Sequence, residues 1–145
     1  MEFIAMIAPA AKALELSSKI PASFTIAQAA VESGWGARAA NNNLFGIKAD
    51  ASWTGPTTLI LTHEDVNGVS ITVRALFRAY PDWAASLVDH AKFLTENRRY
   101  AGAFKCDSGK DFTIAVANAG YATDPNYASV INSIIDTHQL ERFDS

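Results

Sequence analysis

Glu32 stands in the last turn of an apolar helical segment, within Gln28-Ala29-Ala30-Val31-Glu32-Ser33-Gly34-Trp35-Gly36. The helix dipole is negative at that end, and apolar neighbours disfavour a charge. Both effects raise a carboxyl pKa, as a general acid working near neutral pH requires. The plain alternative is an exposed glutamate at a helix end. Glu64, in Thr62-His63-Glu64-Asp65, is the second acid of interest. Alone it reads as a solvated residue near a hairpin tip. Facing Glu32 across a groove, it would complete the pair that glycoside hydrolysis uses. One carboxyl protonates the leaving oxygen and the other acts on water or on carbon.

Aromatic residues near these acids come next. Tyr121 sits between a helix-ending Gly120 and Ala122-Thr123-Asp124-Pro125, a tight connection that either plugs the core or points a hydroxyl into a groove. Tyr127 falls on an apolar helical stripe, which favours the core. Of Trp35, Trp53 and Trp83, Trp35 is the best sugar-stacking candidate because it neighbours Glu32.

Other chemistries find little support. No phosphate-binding glycine loop is present. Ser33 lacks the first glycine of the esterase nucleophile motif. His63, His90 and His138 are too scattered for metal-ligand spacing, and neighbouring strand residues such as His63, Glu64 and Asp65 point to opposite faces. Arg98-Arg99-Tyr100 is a small basic patch that reads as a solvated helix end. Cys106 is a lone cysteine and permits no disulfide within the chain.

Composition sets the frame for these residues. With 145 residues, 49% hydrophobic and 19% charged, the chain can bury the core of a single domain, residues 1–145. A net charge of −3 argues against nucleic acid as a partner. No apolar run reaches the roughly 20 residues that span a bilayer, so stable membrane insertion is not expected. The N-terminal MEFIAMIAPAAKA has Glu2 where a secretory signal carries a cation, and it reads as a first helix.

The elements follow from spacing. Residues 10–19 form a helix with Ala10, Ala13, Leu14 and Leu16 on its apolar stripe, ended by Ile20-Pro21. Ser23 is the expected N-cap of a second helix, residues 24–33, closed by Gly34 and Gly36. Two β-branched runs flank Asn67-Gly68, which predicts a hairpin over 57–77 within a lobe of about 51–78. Helices then resume. One opens at Pro81-Asp82 with Ala84, Leu87, Val88, Ala91 and Leu94 on one face. One is capped by Asp111. The last follows Asp124-Pro125 and carries Tyr127, Val130, Ile131, Ile134 and Ile135. The fold class is mainly α, a helical domain with a small β-hairpin lobe and a groove between them.

Five ordered blocks then carry a resemblance. Ile26-Ala27-Gln28-Ala29-Ala30-Val31-Glu32-Ser33-Gly34-Trp35-Gly36 resembles the glucosaminidase family of bacterial and phage cell-wall hydrolases, glycoside hydrolase family 73. Asn43-Leu44-Phe45-Gly46-Ile47-Lys48, the hairpin segment from Thr62 to Gly68, Phe77-Arg78-Ala79-Tyr80 and Gly120-Tyr121-Ala122-Thr123-Asp124-Pro125 match in the same order. The resemblance implies a lysozyme-like fold and cleavage of the β-1,4 bond after N-acetylglucosamine in peptidoglycan. It implies Glu32 as general acid, Glu64 as second carboxylate on a mobile lobe, and Tyr121 orienting the N-acetyl group or the water. Trp35, Asn43, Phe45, Gly46 and Tyr127 are the implied substrate-binding residues. Muramidase or lytic transglycosylase action on the same polymer, or a wall-binding module without turnover, are the alternatives. Asp65 departs from the family, which often has an aromatic after the hairpin glutamate.

The chemistry needs only carboxylates and water, so no metal or organic cofactor is expected. A monomer acting on glycan strands at the bacterial cell wall is expected. It would be made in the cytoplasm without a clear signal and delivered in the manner of a phage endolysin.

Overall fold

The computed structural model describes residues 2–145. Among the described residues there are five α-helices: α1 (Glu2–Ser18), α2 (Ala22–Ser33), α3 (Trp83–Glu96), α4 (Gly109–Asn118) and α5 (Tyr127–Thr137). Short 3-10 segments occupy Ala40–Asn42, Arg98–Lys105 and Leu140–Phe143. The sheet is one antiparallel hairpin, β1 (Thr57–Val66) and β2 (Val69–Arg78). The chain is thus helical with a β-hairpin lobe, as the sequence predicts. No described helix is long and apolar enough to cross a membrane.

Helix α2 is the hub. Every residue from 21 to 30 is buried, with α1, α4, α5 and the Leu140–Phe143 turn packed around it. Ala22, Ala27, Ala29 and Ala30 keep its surface low, so those neighbours approach closely. Ser23 is not its N-cap. Pro21 takes that position without a side-chain bond, and Ser23 lies inside the helix. The free N–H groups are satisfied from elsewhere in the chain. Ala22 N donates to Glu15 Oε1 (2.9 Å), and Ser23 donates through N and Oγ to the Asp144 carboxylate, both at 2.7 Å. Two acids at the positive end of the helix suit its dipole.

A glycine protects that contact. A Cβ on Gly109, where α4 begins, would stand 2.0 Å from Ser23 Oγ. Gly109→Ala is therefore expected to cost about 1–3 kcal/mol despite the better helix former. Urea unfolding beside Gly102→Ala, whose added Cβ meets open space, checks this.

Several boundaries differ from expectation. Helix α1 begins at Glu2 and runs through Pro9, burying Phe3, Ile4, Ile7, Ala8 and Ala11. The larger side chains of its first half define the core face, which leaves Ala13 outward and Leu16 70% exposed. Helix α3 opens after Pro81-Asp82 as expected, with Asp82 as its N-cap, accepting from Ala85 N at 2.8 Å. Its buried face is Ser86, Leu87, His90, Ala91 and Leu94, with Ala84 and Val88 in solvent. Two polar residues are buried there because they have partners on other elements. Ser108 caps α4, accepting from Asp111 N (3.1 Å), so Asp111 lies in the first turn. Asp124 shapes the turn before α5, accepting Asn126 N at 2.9 Å, and the helix begins two residues past Pro125.

The hairpin turns at Asn67 (φ 52°) and Gly68 (φ 80°), the paired positive values of a tight two-residue loop. Its register pairs Thr57 with Arg78 and Glu64 with Ile71. Leu59, Leu61 and Leu76 face solvent, while Ile60, Thr62, Glu64, Val73 and Phe77 form the less exposed face. Residues 47–49 tie its base to the body through Arg78 N to Ile47 O (3.0 Å) and Ala49 N to Leu76 O (2.9 Å).

Candidate active site

The end of α2 is built to hold one carboxyl still. Gly34, Trp35 and Gly36 take three successive left-handed conformations, with φ of 57°, 58° and 90°. Ser33 locks this turn, donating from Oγ to Ala29 O (2.6 Å) and accepting from Gly36 N (2.8 Å). A Cβ on Gly36 would meet the Trp83 ring at 2.7 Å, so the chain passes here only as glycine. Glu32 sits immediately before the turn.

Glu32 opens on a cavity of about 390 Å³. Its walls are the 45–48 loop, Asp50 and Arg78 from the lobe's base, Phe93 of α3, Tyr100, and Tyr121-Ala122. Burial pushes the Glu32 carboxyl up from its ordinary 4.5. A hydrogen bond from Tyr127 Oη to Glu32 Oε1 (2.9 Å) opposes this in part. Tyr121 stacks on Tyr127 with ring centres 5.9 Å apart, and burial holds its hydroxyl well above the usual range, hence protonated. A raised carboxyl and a protonated phenol share one cavity, which suits proton donation to a bound oxygen.

The expected residues divide into two sets. Glu32, Tyr121, Phe45 and Gly46 line the cavity. Gly46 has φ 63° and open space beside it, so its backbone is accessible to a ligand. Trp35 does not line it. The left-handed turn directs its ring onto Phe3 (5.9 Å) and His138 (4.9 Å), where it packs against the core. Asn43 is a buried clamp, donating to Ile47 O and Arg78 O (both 2.9 Å) and accepting from Ile47 N. It shapes the loop that presents Phe45 and Gly46. Tyr127 is buried, with its hydroxyl on Glu32 rather than at the cavity wall. Glu64 lies on the hairpin and pairs with Lys48 Nζ at 2.6 Å; Lys48 is the cavity residue of the two.

Sequence reasoning missed Arg78, Asp50, Phe93 and Tyr100 in the wall, and Gln28 and His90 behind it. Arg78 lies within the Phe77-Arg78-Ala79-Tyr80 block, which the sequence reading gives no role. A charged residue ending an otherwise alternating strand was the signal available. Among the described residues no cluster of three or more His, Cys, Asp or Glu is arranged to hold a metal.

Comparison with known proteins agrees with this geometry. Residues 8–140 match the glucosaminidase family, described as mannosyl-glycoprotein endo-beta-N-acetylglucosaminidase. The peptidoglycan hydrolase FlgJ of Salmonella typhimurium is 41% identical over 141 residues, covering 92% of this chain and 45% of the relative. The chain thus spans about half the length of the curated FlgJ relatives it matches. A C-terminally truncated glycoside hydrolase domain of the same FlgJ superposes with TM-score 0.80 at 40% identity, covering 95% of this chain and 96% of that one. The catalytic domain of the Listeria monocytogenes autolysin Auto gives TM-score 0.87 at 34% identity, covering 99% and 86%. With the family's model matching residues 8–140 and relatives sharing both sequence and fold over most of its length, this chain belongs to the glucosaminidase family.

Proposed function

We propose that the chain hydrolyses the β-1,4 bond after N-acetylglucosamine within peptidoglycan strands, with Glu32 as general acid. The observation that carries this is the half-buried Glu32 carboxyl in the cavity, held above its ordinary pKa by burial and bonded through one oxygen only. Its proton passes to the glycosidic oxygen as the bond breaks. Tyr121, protonated at the same wall, orients the N-acetyl group or the attacking water. Phe45 and the open backbone at Gly46 offer an apolar and a polar surface to the sugar.

Glu64 supplies the second carboxylate from the lobe. In inversion it would activate a water held between carboxyls roughly 6.5–9.5 Å apart. Lys48 keeps it at the groove's edge, and closure of the hairpin would exchange that ion pair for the water. Glu64→Gln is expected to lose about 10²-fold or more in rate while Lys48 stays free to reach solvent. Retained activity would assign the second step to the substrate's own acetamido group. The acting place in this proposal is the bacterial cell wall, where the peptidoglycan substrate lies.

Mass spectrometry of borohydride-reduced peptidoglycan digests tests the bond. Reduced N-acetylglucosamine ends are expected, from internal cuts that shorten the strands. Reduced or anhydro muramic ends would reassign the cut to a muramidase or transglycosylase. Wall binding without fragments would remove turnover altogether.

A further inference from the structure

Behind Glu32 lies a buried polar chain that the acid's own chemistry does not require. Tyr127 Oη donates to Glu32 Oε1 (2.9 Å), Gln28 Nε2 donates to Tyr127 Oη (2.7 Å), and Gln28 Oε1 bonds His90 Nε2. His90 is fully buried on α3, stacked on Phe45 at 3.6 Å, with Phe24 near its other side. Its Nδ1 has no partner.

This chain can run in two directions. In one, His90 Nε2–H donates to Gln28, Gln28 to Tyr127, and Tyr127 to Glu32. In the other, every link reverses: Glu32 donates its proton to Tyr127, Tyr127 to Gln28, and Gln28 to an unprotonated Nε2. The reversed chain needs the Nδ1–H tautomer, which leaves a buried N–H without an acceptor. The forward chain leaves only a lone pair unmatched, the smaller penalty. The apolar rings around His90 therefore select the direction.

We propose that His90, acting through Gln28 and Tyr127, is a positioning residue for the general acid: it makes Glu32 Oε1 an acceptor and leaves Oε2 to carry the proton into the cavity. Burial lowers the His90 pKa to about 3, so the ring stays neutral with a single N–H in ordinary buffers. The reversed chain would aim the acid's proton at Tyr127, away from the substrate. The inference rests on the reading of Glu32 as the acid.

The other groups facing Glu32 are Tyr121 beside it and Lys48, Asp50, Arg78 and Tyr100 across the cavity. No hydrogen bond or ring contact joins His90 to any of them; of the cavity residues, its ring stacks on Phe45. His90→Leu removes the donor and lets the Gln28 amide flip; His90→Gln keeps an N–H in reach of Gln28. On soluble peptidoglycan fragments, His90→Leu is expected to lower kcat about 10- to 100-fold with KM nearly unchanged. Its alkaline limb should move to higher pH, because Glu32 loses the bond that favours its charged form. His90→Gln should restore both. In the wild-type protein, ¹⁵N shifts of the His90 ring should show Nε2 protonated. An Nδ1–H tautomer overturns the inference, as does an unmoved alkaline limb in His90→Leu or a failure of His90→Gln to restore it. The tautomer measurement needs no variant to fold. If Glu32→Gln stays active, the underlying reading falls too; if only the His90 results fail, Glu32 remains the acid and His90 is packing.

Discussion

Glu32→Gln is expected to remove about 10²–10⁴ of the hydrolytic rate and to leave the fold intact. Glutamine has the same shape, and its carbonyl oxygen still accepts from Tyr127 Oη. What it lacks is a proton to give. A near wild-type rate of wall lysis would sink the assignment. Stability should move the other way. Because burial raises the carboxyl above its ordinary 4.5, its stabilising contribution is fully present below that value and is lost as pH rises through the folded pKa. Above that window, wild type carries a charge its surroundings disfavour, and the neutral amide does not. The unfolding midpoint of Glu32→Gln should therefore gain on wild type between acid and neutral pH. A functional residue that lowers stability is common at active sites.

Arg78→Met is the second large effect. The Arg78 and Asp89 side chains are 8% and 14% exposed and joined at 2.9 Å. Asp89 also accepts from Tyr80 Oη, and Arg78 Nε holds Lys48 O at 3.1 Å. Removing the guanidinium strands Asp89 in a poorly hydrated place and releases the loop at the hairpin's base. Loss of one partner of a buried pair costs about 3–5 kcal/mol. Urea unfolding should show a loss of that size. Arg78→Met combined with Asp89→Leu should recover most of it, since no uncompensated charge remains. Activity should fall in both variants, because Arg78 also lines the cavity. A double variant as unstable as the single one would mean that the loop contacts, not the charge, carry the cost.

How much of this was legible depended on how local each cause was. Asn67-Gly68 fixed the hairpin because the turn's positive φ values are a property of those two residues. Glu32 was legible for the same reason: its helix end and apolar neighbours are adjacent in sequence. Ser23 was misread because its helix takes its cap from Asp144, 121 residues away. The inner face of α3 was misread because Ser86 and His90 are buried by partners on other elements. Trp35 shows the converse error. Adjacency to Glu32 suggested a shared cavity, and three left-handed residues sent its ring elsewhere.

The burial of α2 has a consequence in time. Amides of a helix enclosed over residues 21–30 exchange with solvent only when much of the molecule opens, whereas a two-stranded ribbon solvated toward its tip opens by itself. Glu32 therefore stands at the end of the enclosed helix, and Glu64 lies on the solvated ribbon. Under the proposed mechanism, a glycan strand would meet a proton donor fixed by the core and a second carboxylate carried on the solvated ribbon. On that proposal, turnover would be paced by the ribbon's opening, while the acid's alignment would be set by the core.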